Sequence, residues 1–281
     1  MSFIQPGKTE WMLILNPGLP ERLGRIRHVL CDFDGTFSLL REGWEGVMIP
    51  MMLEMICPSR PAPPEIEQEV RQYVDQSTGV LTIRQMEWLA HAVHRHGWAQ
   101  QALAPAEYKT IYVRRILERV AIRVAGLEKG SLNREACLVA GSRAFLQGLA
   151  RRGAALYLAS GTDHPDVLNE AHILEIDAYF DGRIYGALDA SESHDKELII
   201  RRILAENDLP GDELLVVGDG PVEMRVAAAQ GAIALGVACD EVAGSGWNNH
   251  KIQRLARAGA HVIVPDFIHV ENLISFLFPE E

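Results

Sequence analysis

The stretch Cys31-Asp32-Phe33-Asp34-Gly35-Thr36, CDFDGT, closes the apolar run Val29-Leu30-Cys31 on two carboxylates two residues apart. Side chains along a strand alternate between faces, so residues i and i+2 share one. Asp32 and Asp34 therefore point to one side and Phe33 to the other, into the core. Gly35 then allows the backbone to turn sharply. A buried strand that ends on two like charges needs a reason, and the rest of the chain supplies one.

Further apolar segments follow the same plan. RHVLCDFD (27–34), AALYLAS (154–160), ELLVVGD (213–219), AIALGVA (232–238) and HVIVPD (261–266) read as strands. Between and after them, GSRAFLQGLARRG (141–153), DKELIIRRILAEN (195–207), VEMRVAAAQ (222–230) and NHKIQRLARAG (249–259) read as helices. Gly153, Gly231 and Gly259 stand between helix and strand, where a left-handed stop is wanted. Strands apolar on both faces alternating with helices predict an α/β fold with a Rossmann-like, doubly wound parallel sheet. The stretch 39–138 breaks the alternation: after the Pro-rich loop PSRPAPP (58–64) it carries helical patterns near Glu65–Gln76, Thr82–His96 and Pro105–Ala125, with no convincing run of strands. The expected organisation is an N-terminal extension over 1–24 packed on the surface, an α/β core over 25–38 and 139–281, and an all-helical insert over 39–138 folded above it.

Composition limits the function. The 281 residues are 48% hydrophobic and 23% charged, ordinary values for a globular protein with a sizeable core. A net charge of −11 offers no basic surface for nucleic acid or an anionic membrane. Cys31, Cys57, Cys137 and Cys239 have no paired spacing and read as reduced thiols of a cytoplasmic protein. No signal-peptide pattern opens the chain, and its apolar runs are too short and interrupted to predict a membrane span.

Ligands of open parallel sheets bind beyond the carboxyl ends of the strands. Three strands here end in Asp32 and Asp34, in Ser160, and in Asp219. Carboxylates gathered at one sheet edge repel one another unless a cation joins them, and hard oxygen ligands suit Mg²⁺. Any one of these residues alone is what an ordinary turn would carry. The set, together with Lys196 on a later helix, is what points to a site.

DFDGT, LYLASGT, a helix-borne Lys and VVGDGPVE, in that order, resemble the motifs of the haloacid dehalogenase superfamily, and within it the phosphatases with a helical cap inserted after the first motif. The resemblance runs from about residue 28 to residue 266. It implies that Asp32 is a nucleophile forming an aspartyl-phosphate and that Asp34 is the acid and base for the leaving oxygen and the water. Thr36 would help hold the first loop, while the Ser160 hydroxyl and the Gly161 N–H would bind a phosphoryl oxygen. Lys196 would offset the charge of nucleophile and phosphate. Mg²⁺ would be held by Asp32, the Asp34 carbonyl and Asp219. Glu223, where the family more often has Asp, would touch the ion or a water bound to it. Phe37, where Leu often follows DGT, would alter packing only.

Substrate contacts are expected from the underside of the cap and the loop leaving the first motif: Arg41, with Glu42 and Trp44, and Arg84, with Gln85, at the start of a cap helix. Met48, Met51, Met52 and Met55 read as core filler. His91, His94 and His96 lack metal-ligand spacing. Trp247 lies in GSGWNNHK (244–251), which reads as a flexible loop. The expected activity is a Mg²⁺-dependent phosphatase acting on a small phosphorylated metabolite, a sugar phosphate or a phosphoglycolate-like compound. A sugar phosphomutase and a non-catalytic phospholigand-binding module are the alternatives.

Overall fold

The computed structural model describes residues 8–9, 11–188 and 196–279. Part of the expected N-terminal extension (1–7 and 10) and Asp195, the first residue of the predicted helix 195–207, lie outside the described residues. Among the described residues eight strands form one sheet: β1 (Lys8–Thr9), β2 (Met12–Ile14), β3 (His28–Cys31), β4 (Ala155–Asp163), β5 (Ile184–Ala187), β6 (Leu214–Gly218), β7 (Ile233–Val237) and β8 (Val262–Val264). Their order is β1-β2-β8-β7-β6-β3-β4-β5. From β8 to β5 all neighbours are parallel, whereas β1 and β2 pair antiparallel to each other and to β8. The extension thus contributes strands to the sheet edge rather than packing on the surface: Leu13 and Ile14 pair with Ile263 and Val262. A three-residue strand next to Pro-containing turns carries too little periodicity to be read from sequence.

The doubly wound parallel core is as expected, and each strand's alternation feeds two separate packing layers. Val29 and Cys31 join one core with α5 (Ser142–Arg151), α6 (His164–Ile173) and α10 (Val270–Leu277). Leu30, between them, joins the other with α7 (Lys196–Glu206), α8 (Pro221–Ala229) and α9 (Asn249–Arg257). The central strand β3 lies between β4 and β6, in register Val29 to Leu156 and to Leu215. Its carboxyl end is therefore flanked by the ends of two other strands.

Between β3 and β4 the chain forms α1 (Glu45–Ile56), α2 (Pro64–Gln76), α3 (Thr82–His96) and α4 (Pro105–Glu128), with a core of their own. Met48, Met51 and Met52 are fully buried in it, beside Val70, Met86 and Ile116. Pro105 opens α4, where its missing N–H leaves no intrahelical bond unmade. The chain enters and leaves this insert side by side: Leu39 N–H donates to the Cys137 carbonyl at 2.8 Å and Val139 N–H to the Phe37 carbonyl at 3.0 Å.

Phe37 anchors that crossing to the sheet layer. It is wholly buried and stacks on Phe267 at 5.2 Å, which stacks on Phe145 at 4.5 Å. Truncation of a buried aromatic ring removes its transfer free energy and leaves a cavity, about 3–5 kcal/mol. Phe37→Ala is expected to lose that amount in urea unfolding, and a loss under about 1 kcal/mol would show that the stack tolerates collapse.

Candidate active site

Asp32 follows directly on β3 and is tied to the sheet by its N–H, which donates to the Val217 carbonyl at 2.8 Å. Phe33 turns into the core, and its carbonyl accepts from the N–H groups of Thr36, Phe37 and Ser38, closing a tight loop. Gly35 takes a φ of +73° there, in the left-handed region that a side chain disfavours. The Thr36 hydroxyl donates to Asp32 Oδ2 at 3.1 Å. On the other side, Lys196 Nζ donates to Asp32 Oδ1 at 2.6 Å and also to Glu223 Oε1. Lys196 is 3% exposed and Asp32 5%, so the pair is dry. Burial pushes the Asp32 carboxyl well up, with Lys196 opposing and the Glu223 and Asp219 charges adding to the rise. Burial also disfavours the Lys196 charge, but Asp32 and Glu223 together hold its pKa above the ordinary lysine range.

Asp34 is separated from that pair. Its Oδ2 accepts from Ser160 Oγ and from Thr162 Oγ1, both at 2.9 Å, while its buried Oδ1 has no hydrogen-bond partner. Ser160 therefore reaches Asp34, and Thr162, not singled out from sequence, does the same. A serine or threonine two residues apart on one strand is the signal that could have found it. Gly161 lies between them, under the insert: a Cβ there would come within 2.8 Å of the Val80 carbonyl oxygen.

Asp219 follows β6, next to β3 in the sheet, and lines the same cleft as Asp32 and Asp34. Two cations from α9 hold it, neither anticipated from sequence. Lys251 Nζ donates to Asp219 Oδ2 at 2.7 Å and to Glu241 Oε1 at 2.6 Å. Arg254 Nη2 donates to the Asp219 carbonyl at 3.1 Å. Burial disfavours the Asp219 charge, but Lys251 and Arg254 outweigh it and hold the carboxyl below its usual range. The stretch 244–251, read as a flexible loop, is thus partly the start of α9: Asn248 caps it by accepting from the N–H groups of His250 and Lys251, and Trp247 packs on the sheet.

Of the residues expected around a metal, Asp32 and Asp219 line one cleft with Asp34, whose backbone carbonyl is the expected third ligand, while Glu223 is engaged by Lys196. Among the described residues no three His, Cys, Asp or Glu side chains form a group able to hold an ion. The Asp34 carboxylate is turned to Ser160 and Thr162, and Glu223, 1% exposed, is turned to Lys196. The longer Glu side chain also fills the space beside Gly79 and Gly220, where a Cβ would stand 2.5 Å and 2.4 Å from its oxygens. Asp32 and Asp219 remain, together with the first-loop backbone. A Cβ on Gly35 would come within 2.6 Å of Asp219 Oδ2, so its absence lets that backbone lie against the carboxylate. An oxygen-only set of two carboxylates and a backbone edge fits Mg²⁺, which takes one or two carboxylates and keeps its waters. His96 pairs with Glu69 at 2.9 Å, away from this cleft.

The insert forms the opposite wall, with Trp44, Thr78, Gln85 and Tyr112 lining it. Arg41 lines it too, but its guanidinium is engaged by Glu170 Oε1 at 2.6 Å and Asp166 Oδ2 at 3.3 Å, and its Nε lies 3.9 Å from Asp34 Oδ1. Burial raises the Glu170 carboxyl to about 7, against the pull of Arg41. Glu42, the neighbour of Arg41, pairs instead with Arg123. Arg84 is not among the described residues that line the cleft: its side chain is 46% exposed and pairs with Glu87 at 3.0 Å. One residue is a 100° step around a helix, so Gln85 faces inward where Arg84 faces out. Gln85 Nε2 donates to the Ser77 hydroxyl at 3.1 Å.

This geometry has known relatives in fold. A crystal structure of a predicted phosphoglycolate phosphatase from Haemophilus somnus superposes with a TM-score of 0.56 at 16% identity, over 89% of this chain and 98% of that one. A β-phosphoglucomutase from Clostridium difficile gives 0.57 at 12% identity, over 90% and 97%. A haloacid dehalogenase family hydrolase from Deinococcus radiodurans, solved with bound phosphate and sodium, gives 0.52 at 13%, over 92% and 100%. At such identities the likeness concerns the fold alone. No curated protein matches the chain by sequence. The family model for haloacid dehalogenase-like hydrolases matches residues 26–231, which span all four motifs and the strands β3 to β6. On that match, the chain belongs to the haloacid dehalogenase-like hydrolase family.

Proposed function

We propose that the protein is a Mg²⁺-dependent phosphatase that hydrolyses a small phosphorylated metabolite through an aspartyl-phosphate on Asp32. The observation that carries this reading is the division of labour at the sheet edge. One buried carboxylate lies between Lys196 and Thr36, and a second, two residues on, is oriented by Ser160 and Thr162 with one oxygen unpartnered. This arrangement supports the first as a nucleophile and the second as an acid.

In this mechanism an Asp32 oxygen attacks phosphorus as the bond to the leaving oxygen breaks, and Asp34 gives that oxygen its proton. Asp34, now a carboxylate, takes a proton from water, whose oxygen attacks the phosphoryl group and releases Asp32. Lys196 balances the charge on the nucleophile and the transferred group, and Glu223 holds Lys196 in place. Asp32, Asp219 and the Asp34 carbonyl would hold Mg²⁺, which when bound supplies charge neutralisation at the phosphoryl oxygens. Ser160 Oγ and the Gly161 N–H, which line the cleft, would receive a phosphoryl oxygen. Residues 39–138 act as a cap over the core of 25–38 and 139–281, excluding water from the reaction. Arg41, fixed by Glu170, and Gln85 form the polar wall for the rest of the substrate. A sugar phosphate or a phosphoglycolate-like compound suits a cleft of this kind, and a phosphomutase uses the same acid and base.

Release of inorganic phosphate from an aryl phosphate tests the proposal. It is expected in the wild type, lost on chelation with EDTA, restored by Mg²⁺, and reduced by about 10³-fold or more in Asp32→Asn. Isomer exchange without net phosphate release would favour the mutase instead. Asp34→Asn is expected to slow turnover by about 10²–10⁴-fold while calorimetric Mg²⁺ binding persists, and normal turnover would remove its acid-base role. On a metabolite substrate, Gln85→Ala is expected to raise KM whereas Arg84→Ala leaves it unchanged. The reverse pattern would place Arg84 at the ligand.

A further inference from the structure

Arg254 is a buried guanidinium that serves two parts of the molecule at once. It lies on α9, in the α/β core, yet its Nη1 donates to Asp75 Oδ1 and to Thr78 Oγ1, both at 3.0 Å. Asp75 belongs to the last turn of α2, and Thr78 to the loop that joins α2 to α3. Its Nη2 donates to the Asp219 carbonyl at 3.1 Å. One side chain therefore links the helical insert to the backbone of an acidic residue of the cleft.

The loop 77–81 lies directly against the core. Val80 sits over Gly161, Gly79 over Glu223, and the Thr78 carbonyl oxygen would lie 3.0 Å from a Cβ on Gly220. These contacts permit close approach but do not themselves hold the loop. The Thr82 hydroxyl adds a bond to the Gly161 carbonyl at a longer 3.4 Å. Arg254 supplies the short charge-assisted bonds, which are stronger than neutral ones. A guanidinium this buried is costly to leave without partners. Were the insert to lift away, Nη1 would lose both acceptors, and the remaining bond to Asp219 would be held by a group free to reorient toward water.

We propose that Arg254 is a positioning residue that fixes the Asp219 peptide only while the loop 77–81 is seated, and so couples closure of the insert to the arrangement of the acidic site. Asp75 is then the remote half of the device, at the rim and outside the reacting groups.

Two readouts that need no substrate or metal test this, so the result stands apart from the phosphatase assay. Hydrogen exchange of the Ser77 and Val80 amides, which donate to Tyr73 and Ser77 carbonyls, reports loop seating. The Gly220 amide ¹⁵N shift reports the hydrogen bond on the preceding Asp219 carbonyl. Asp75→Asn and Arg254→Leu are each expected to speed exchange of those loop amides by about tenfold, and the double variant no further than Arg254→Leu alone. Asp75→Asn is also expected to move the Gly220 shift toward its value in Arg254→Leu. Because His250 Nδ1 lies 3.6 Å from Asp75 Oδ1, His250→Ala serves as the control and should leave both readouts unchanged. Should Arg254→Leu fail to fold, Asp75→Asn and Thr78→Val carry the test, since both alter only the insert side. Additive exchange rates, or a Gly220 shift unmoved by either insert-side variant, would overturn the proposal.

Discussion

Two carboxylates buried at the ends of adjacent strands, Asp32 after β3 and Asp219 after β6, are the constraint around which the molecule is arranged. Neither can stay charged in a dry interior without a cation in contact. Each has its own: Lys196 from α7 for Asp32, and Lys251 with Arg254 from α9 for Asp219. Both helices lie in the same packing layer, so the apolar side of that layer and the charge balance of the sheet edge are set by the same two elements. Removing one partner of such a buried pair costs about 3–5 kcal/mol, because the other charge is left uncompensated. Their placement is thus both a folding requirement and the origin of the site's chemistry.

The second wall of the cleft is fitted to the first through missing side chains. Gly79, Gly161 and Gly220 are positions where even a Cβ would crowd an oxygen across the contact, at 2.5 Å, 2.8 Å and 3.0 Å. Glu223 gives part of this its sense. A shorter acid would reach Lys196 less far and leave a gap under the loop, whereas Glu fills the space and uses one oxygen on the lysine. The tight fit of the insert on the core and the length of this one acid belong together.

Much of this was legible in the sequence because its physical signals are local. Apolar strands ending in Asp or Ser, and glycines between helix and strand, mark a parallel sheet whose ligand edge lies at the strand ends. Asp32, Asp34, Ser160, Lys196 and Asp219 all sit within a few residues of such an end or of a helix start, and the structure brings them to one cleft. The unread parts lacked a local signal. α1 is a helix with Gly46 and Pro50 inside it, both of which argue against helix, and it forms because Met48, Met51 and Met52 have a core to enter. β5 has four residues, one of them glycine, and α6 begins on His164-Pro165 directly beyond a strand. Lys251 and Arg254 are spaced as a solvated face would be on a helix as polar as α9; only tertiary packing turns them inward, 32 and 35 residues from Asp219 in sequence. Arg84 and Gln85 show the same limit at finer scale, since nothing local decides which of two adjacent polar residues faces in.

The crossing between sheet and insert has a consequence for how such a chain can change. Leu39 and Cys137 are joined by a backbone hydrogen bond of 2.8 Å, so about a hundred residues depart and return through one narrow neck. Loop-closure entropy grows only with the logarithm of loop length, about 0.6 kcal/mol per doubling. In closure entropy alone, lengthening or shortening the chain above the neck therefore costs the sheet little, provided that the paired residues at its base and the partners of Arg254, Asp75 and Thr78, persist. The helices distant from the neck and from the loop 77–81 are thus the part of the chain whose length is least constrained by the sheet.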